Sequence, residues 1–292
     1  MPSDQLQLFG GDWTEEKLRI LAAYLKAYNT ALKKTPFVRV YIDAFAGTGY
    51  RQPSERPGGC ADIFQDIEES EAQGFLKGSA KLALEVVPPF DRYVFVESDV
   101  TKVAELESLK RSHPDKVNAI DIVPGDANAY VQQYCRTMPP KERAVVFLDP
   151  FATQVEWATI EAIARTRAID VWILFPLMAA NRLLANDPTK AFRVPLDRMF
   201  GTQDWFEQFY RTRHEDDIFG QSYETVQKAC SFDGIGRFYL ERLKSIFAEV
   251  APTPRVFRNS RGTPLFQLFF AAGNERGAPI AVKIAKHLLE KL

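Results

Sequence analysis

Five short apolar segments alternate with helix-like segments up to residue 175, and this alternation constrains the fold more than any other feature. The apolar segments contain VRVYID, YVFVE, AIDIV, AVVFLD and IDVWILF. Between them lie stretches such as VTKVAELESLKRS and QVEWATIEAIART, with apolar residues at helical spacing. Strands that alternate with helices form parallel sheets with right-handed crossovers. The sequence therefore predicts an α/β fold with a Rossmann-like, doubly wound, mostly parallel sheet.

Several segments depart from this plain alternation. We expect an N-terminal helical extension at residues 1–36, followed by the Rossmann-like domain at 37–292. Within that domain, we expect insertions at about 50–77, which is polar, and at 178–233, which we predict to be mostly helical. The stretch PRVFRNSRGTPLFQLFFAAG then predicts a C-terminal antiparallel hairpin with a turn at Arg261-Gly262.

The composition limits the classes of partner. Lys and Arg number 37 and Asp and Glu 38, so the chain is not uniformly basic. A local excess of Lys and Arg runs from Arg255 to Lys291. Within it, Arg255, Arg258 and Arg261 are open to two interpretations, phosphate contacts or a solvated hairpin edge. Three scattered cysteines predict neither a metal site nor disulfides. With no apolar run of ~18 residues and no signal-peptide pattern, we expect a cytoplasmic protein without membrane contact.

Acidic residues follow four of the five predicted strands. Asp43 ends the first strand, Glu97 the second and Asp149 the fourth, and Asp126 follows the third. Ligands of open α/β sheets bind at the carboxyl ends of the strands, so these acids are expected at one edge. Carboxylates repel a triphosphate, and the chain has no G-x-x-x-x-G-K-[ST] loop. The glycine loop GTGY lacks the third glycine of a dinucleotide site, which disfavours an NAD-type oxidoreductase. Carboxylate oxygens accept hydrogen bonds, so these acids suit the ribose diol, adenine amine and ammonium of S-adenosylmethionine.

The order of these motifs resembles that of class I S-adenosylmethionine-dependent methyltransferases. The shared motifs are DAFAGTG after a strand, an acid ending the second strand, GDA and LDPF. With KLRILAAYLKAY, GSAKLAL, VFVESD and FGTQDW, the chain more narrowly resembles the three-Cys-motif partner (TcmP) family over most of its length. The resemblance implies S-adenosylmethionine as the cofactor and a three-Cys-motif protein as a partner. It also implies a set of cofactor-binding residues, namely Asp43, Phe45, Gly47, Gly49, Glu97, Ser98, Asp126 and Ala127.

The LDPF motif supplies the candidate catalytic residues Asp149, Pro150 and Phe151. It resembles the Asp/Asn-Pro-Pro-aromatic motif of amino-methyltransferases, with one proline missing. In that motif, the acid and a proline carbonyl accept hydrogen bonds from the exocyclic amine, and the aromatic ring stacks on the flipped base. The expected acceptor is therefore a nitrogen of a nucleic-acid base or modified nucleotide. The alternative is a non-catalytic S-adenosylmethionine-binding subunit of the three-Cys-motif protein.

Four further interpretations concern single residues or segments. Asp126 has a second interpretation, as the N-cap of the following helix. Lys17 is expected to be exposed, although lysines of N-terminal helices sometimes point toward the cofactor. We expect Trp205 and its aromatic neighbours up to Tyr210 to form a small core. For residues 51–77, we hypothesise a lid or a wall on the substrate side.

Overall fold

A computed structural model describes residues 12–46, 78–150, 152–216, 222–259 and 261–291. These residues contain an eight-stranded sheet covered by helices on both faces, and a separate two-stranded sheet. The insertion predicted at about 50–77, with its proposed lid, lies outside the described residues. So do three predicted site residues, Gly47, Gly49 and Phe151.

The main sheet has the strand order β3-β2-β1-β4-β5-β10-β8, and β9 also pairs with β10. The first five strands are parallel, and β10 runs antiparallel to β5. This arrangement confirms the predicted fold class, including the C-terminal antiparallel strands. The strand order reverses between β1 and β4, which makes that position the switch point of the sheet. The strands are β1 (Val38–Asp43), β2 (Arg92–Glu97), β3 (Ile120–Pro124), β4 (Glu142–Leu148), β5 (Ile169–Phe175), β8 (Glu249–Val250), β9 (Arg255–Arg258) and β10 (Pro264–Ala272).

The helices form a layer on each face of this sheet. One face carries α1 (Asp12–Leu32), α2 (Ser79–Glu85), α3 (Val100–Arg111) and α10 (Ala278–Lys291). The other face carries α4 (Ala127–Thr137), α5 (Trp157–Thr166), α6 (Leu177–Leu183), α7 (Arg193–Phe200), α8 (Trp205–Phe209) and α9 (Phe232–Lys244). Strand β5 is buried along its whole length because both layers cover it.

Helix α1 packs directly on the sheet. Ile20, Leu21, Tyr24 and Leu25 are almost fully buried, as their helical spacing requires. The Tyr24 hydroxyl donates a hydrogen bond of 2.7 Å to Asp170 Oδ2 at the start of β5. The centre of the Tyr24 ring also lies 5.3 Å from that of Trp172 on β5 and 4.7 Å from that of Phe270 on β10. These contacts fix the position of α1 over the middle of the sheet.

The segment 178–233 contains a hairpin that the prediction of a mostly helical insertion missed. Strands β6 (Tyr210–Asp216) and β7 (Ser222–Lys228) pair only with each other. Their sequence is polar, as in RTRHED, because neither strand joins the main sheet. The aromatic residues just before the hairpin are core residues, as predicted: Trp205 and Phe209 are at most 2% exposed. Within the described ranges, no helix is long and apolar enough to cross a membrane.

Candidate functional site

The carboxyl ends of β1, β2 and β4 bring three of the predicted acids to one edge of the sheet. Asp43 pairs in register with Phe95 of β2 and with Phe147 of β4. Glu97 and Asp149 each lie two residues beyond those partners, so both flank Asp43. All three side chains are buried, with Asp43 fully so and the other two 6% exposed. The switch point therefore holds three carboxyl groups in a region largely closed to solvent.

The loop after β1 crosses this edge and is hydrogen-bonded on both sides. The amide of Ala44 donates to Phe147 O at 3.1 Å, and that of Ala46 donates to Val96 O at 3.0 Å. Phe45, between them, packs against the apolar cluster on the α4–α9 face. These bonds hold Asp43 at the start of the loop in one position relative to both neighbouring strands.

Lys17 is part of this site, and the expectation that it would be exposed was wrong. Its side chain is fully buried, and Nζ lies 2.7 Å from Asp149 Oδ2. Nζ also lies 5.5 Å from the centre of the Phe147 ring. The missed signal was helical spacing, because Lys17 precedes Leu21 and Tyr24 by four and seven residues and so shares their buried face. Helix α1 thus delivers a cation directly to Asp149, one of these three acids.

The protonation of the site follows from its burial. Burial raises the pKa of the Asp43 carboxyl to about 7, and the nearby Asp149 charge also raises it, while Ser79, Tyr41 and Lys17 oppose the rise. Burial lowers the pKa of the Lys17 ammonium to about 8, against the opposing effect of Asp149 and Asp43. Burial also raises the pKa of Asp149, although the ion pair with Lys17 lowers it. Perturbed groups that cluster in this way are typical of functional sites.

Two carboxylate oxygens at this edge are buried without a hydrogen-bond partner among the described residues, namely Asp43 Oδ1 and Glu97 Oε2. The second oxygen of each acid is engaged within the fold. Tyr41 donates to Asp43 Oδ2 at 3.3 Å, and the Asp99 amide donates to Glu97 Oε1 at 2.7 Å. A buried acceptor without a donor costs about 1–3 kcal/mol. Two such acceptors therefore indicate a ligand that brings hydrogen-bond donors.

Asp126 and its neighbours have a different environment. Asp126 is exposed, and its Oδ1 accepts a 2.9 Å hydrogen bond from the Ala129 amide, so it caps α4 as its second interpretation predicted. Ala127 is buried in the first turn of that helix. Ser98 is exposed beside Glu97. A cofactor-binding role for these three residues remains a prediction.

Asn128 is a structural residue at this edge of the sheet. Its Nδ2 donates to Gln154 O at 2.8 Å, and its Oδ1 accepts from the Glu156 amide at 3.0 Å and from Thr159 Oγ1 at 2.8 Å. These bonds connect the loop after β3 to the loop after β4. The position of Asn128 in the first turn of a predicted helix gave no signal for contacts so distant in sequence.

Pro150 is buried and lines a small cavity beside Asp149. The volume of about 10 Å³ is enough for roughly one water molecule. Other lining residues are Ala152, Phe175 and Tyr239, and the last two rings stack at 4.2 Å. Ala152 has a φ of 54°, a left-handed conformation that costs of order 1 kcal/mol in a non-glycine residue. Strained backbone of this kind is concentrated at functional sites.

Comparisons with known proteins give likenesses of fold alone. No protein-family model matches the chain, and no curated protein matches it in sequence. Among solved structures, protein LPL1258 from Legionella pneumophila is 12% identical over 92% of this chain and 90% of its own, with a TM-score of 0.47. A putative methyltransferase from Escherichia coli is 11% identical over 71% and 86%, with a TM-score of 0.29. A dimethyladenosine transferase from Plasmodium falciparum is 13% identical over 74% and 62%, with a TM-score of 0.30. At these values the likenesses identify no activity, and the three-Cys-motif partner family stays an expectation from sequence.

Proposed function

We propose that the chain is an S-adenosylmethionine-dependent methyltransferase that acts on a nitrogen of a nucleic-acid base or nucleotide. The proposal rests on two buried acceptor atoms at the switch point, Asp43 Oδ1 and Glu97 Oε2, which have no hydrogen-bond donor in the part of the chain that the structure describes. A nucleotide phosphate at this edge would need donors and positive charge. Acceptors at the ends of β1 and β2 instead fit an ammonium and a ribose diol.

The residues present fit S-adenosylmethionine in their chemistry. Asp43 would accept a hydrogen bond from the ammonium, and Glu97 Oε2 would accept from the ribose hydroxyls. When bound, this cofactor supplies an electrophilic methyl group. Because Asp43 has a pKa of about 7, it holds a proton part of the time near neutral pH, and only its ionised form attracts the ammonium.

Asp149 and Pro150 would hold the acceptor. The Pro150 carbonyl and the Asp149 carboxylate would accept hydrogen bonds from the acceptor amine and orient its lone pair. Such positioning can supply ~7–11 kcal/mol of a barrier. Asp149 would then receive the proton that the amine loses, which its raised pKa favours. Lys17 keeps one oxygen of Asp149 fixed at 2.7 Å throughout.

Thermal denaturation with added ligands tests the cofactor assignment. S-adenosylmethionine or S-adenosylhomocysteine at ~100 times its Kd should stabilise the protein by ~2.7 kcal/mol, whereas NAD and ATP should not. The variants Asp43→Asn and Glu97→Gln should lose the shift while remaining folded. A wild-type protein that shifts with neither adenosyl ligand would refute the proposal.

A transfer assay then separates an enzyme from a binding subunit. Methyl-labelled S-adenosylmethionine is incubated with total cellular nucleic acid and, separately, with free nucleosides and nucleotides. Label in a base supports the methyltransferase, and its loss in Asp149→Asn with the thermal shift retained assigns Asp149 to transfer. A thermal shift without any transfer, even with a three-Cys-motif partner present, supports the non-catalytic alternative instead.

A further inference from the structure

The tip of the β9–β10 hairpin projects beyond the edge of the sheet that holds the site. Phe175, the last residue of β5, pairs with Gln267, so β10 begins three residues past the end of its neighbour. At about 3.4 Å per residue, this places Pro264 about 10 Å beyond the edge. Residues 261–263 lie farther out still. The hairpin tip, meaning residues 258, 259 and 261–264, therefore overhangs the carboxyl edge of the sheet.

This hairpin tip is ordered by its own hydrogen bonds. Asn259 Oδ1 accepts from the amides of Arg261 at 3.0 Å and Thr263 at 2.9 Å. The Gly262 amide donates to Asn259 O at 2.9 Å, and its φ of +78° is one that glycine adopts without strain. Arg258 Nη1 donates to Gly262 O at 3.0 Å. The arginines of the tip are thus presented from a preorganised turn.

The two arginines of the hairpin tip are exposed to solvent. Arg258 and Arg261 are exposed, and neither forms an ion pair with a carboxylate in the described part of the chain. Arg255, at the base of the hairpin, differs because it pairs with Glu16 of α1. The segment from residue 255 to 291 holds seven Lys and Arg against two Glu, although the whole chain has a net charge of −1. The C-terminal segment that contains the tip therefore carries an excess of positive charge.

A chain of contacts connects the hairpin tip to the site. The ring of Trp13 on α1 lies 5.2 Å from the ring of Phe266 and 5.9 Å from that of Phe257. Lys17, one turn farther along α1, has its Nζ 5.7 Å from the Trp13 ring and 2.7 Å from Asp149. The base of the hairpin and the acceptor side of the site are thus neighbours, with α1 packed between them.

From this placement we infer that Arg258 and Arg261 bind the phosphate backbone of a single-stranded polynucleotide whose base enters the site at Asp149. The inference rests on the proposed function and narrows its substrate class from nucleotides in general to a polymer. Two exposed guanidinium groups on a rigid turn suit phosphates outside the cleft, because a mononucleotide inside the site could not reach past the sheet edge to them. Contacts of this kind add affinity and a salt dependence without reading sequence.

The test measures the affinity of fluorescein-labelled single-stranded RNA and DNA of about 20 nucleotides by fluorescence anisotropy from 50 to 200 mM salt. The double variant Arg258→Gln/Arg261→Gln should bind more weakly and should reduce the slope of log K against log salt by about 1.4. The control Arg276→Gln/Lys283→Gln removes two exposed charges from the same basic segment, away from the tip, and should keep the slope. The RNA and DNA arms decide which polymer is preferred.

Two further readouts keep this inference separate from the proposed function. The thermal shift with S-adenosylmethionine should be unchanged in the tip variant, and so should methyl transfer to any free nucleotide that the wild-type protein accepts. A wild-type protein that shows the thermal shift but binds neither oligonucleotide overturns the polynucleotide inference alone. Equal salt slopes for wild type and tip variant overturn the assignment of the contacts to the tip.

Discussion

Lys17 and Asp149 lie 132 residues apart in the sequence and 2.7 Å apart in the fold, in a buried ion pair. The pair joins the helix that covers one face of the sheet to the strand end at the switch point. Its two members were desolvated to form it, so their attraction offsets a burial cost that is large for each alone. Removing one member leaves the other as an uncompensated buried charge.

Lys17→Met should therefore destabilise the protein by about 3–5 kcal/mol and abolish methyl transfer. Urea denaturation and the transfer assay measure the two effects. The double variant Lys17→Met/Asp149→Asn should recover much of the stability but none of the activity, because no buried charge is left unpaired. Additive losses in the double variant would show that the two side chains are not coupled.

Asp43→Asn should change how stability depends on pH in the absence of ligand. The Asp43 pKa is raised from 3.8 to about 7, so the folded state holds this proton more tightly than the unfolded state. The carboxyl group consequently favours folding at low pH, and that contribution is lost as the pH rises from about 4 through 7. Above pH 7 the variant should be the more stable protein, by up to about 4 kcal/mol. Parallel stability curves for wild type and variant would contradict a raised pKa.

Binding of S-adenosylmethionine should tighten as the pH rises from 6 through 7. At pH 6 only about a tenth of a group with this pKa is ionised, so the affinity should be roughly tenfold below its plateau. Isothermal titration calorimetry at several pH values measures the effect. Asp43→Asn should bind weakly at every pH, and a wild-type affinity independent of pH would exclude Asp43 as the partner of the ammonium.

Gly236→Ala should destabilise α9 where it crosses the edge of the sheet. A Cβ at Gly236 would lie 2.1 Å from Gln267 Oε1, and the Gln267 side chain is buried with little room to move. Overpacking of this kind costs about 1–3 kcal/mol. Gly234→Ala in the same helix is the matched control, because its nearest neighbour would be 3.6 Å away and helical alanine is favoured by roughly 0.5–1 kcal/mol. Thermal melts should move in opposite directions, and similar shifts would contradict the close packing.

The sequence predicted the sheet well because its central strands have one environment along their whole length. Strands such as β4 and β5 are buried on both faces and read as continuous apolar runs. The hairpin β6–β7 lies apart from the main sheet and shows no such pattern, and β8 has only two residues, too few for any periodicity. The strands that the sequence did not predict are therefore those without a repeating pattern of buried residues.

The candidate site was predictable to the extent that strand ends determine it. Asp43, Glu97 and Asp149 came together because parallel strands end at one edge. The burial of Lys17 and the bridging by Asn128 depend on tertiary packing between elements far apart in sequence. Helical spacing with Leu21 and Tyr24 places Lys17 on the buried face of α1, but a single sequence does not show that the Asp149 carboxylate lies opposite it.

The two ends of strand β10 differ in their structural role. From Leu268 to Ala272, its side chains are almost fully buried between the two helical layers, so substitutions there threaten folding. Residues 258, 259 and 261–264 are anchored by hydrogen bonds of their own turn and contribute little to that core. Directed evolution could therefore randomise these residues while the rest of the strand stays constant, and affinity for a polynucleotide would become adjustable without a redesign of the scaffold.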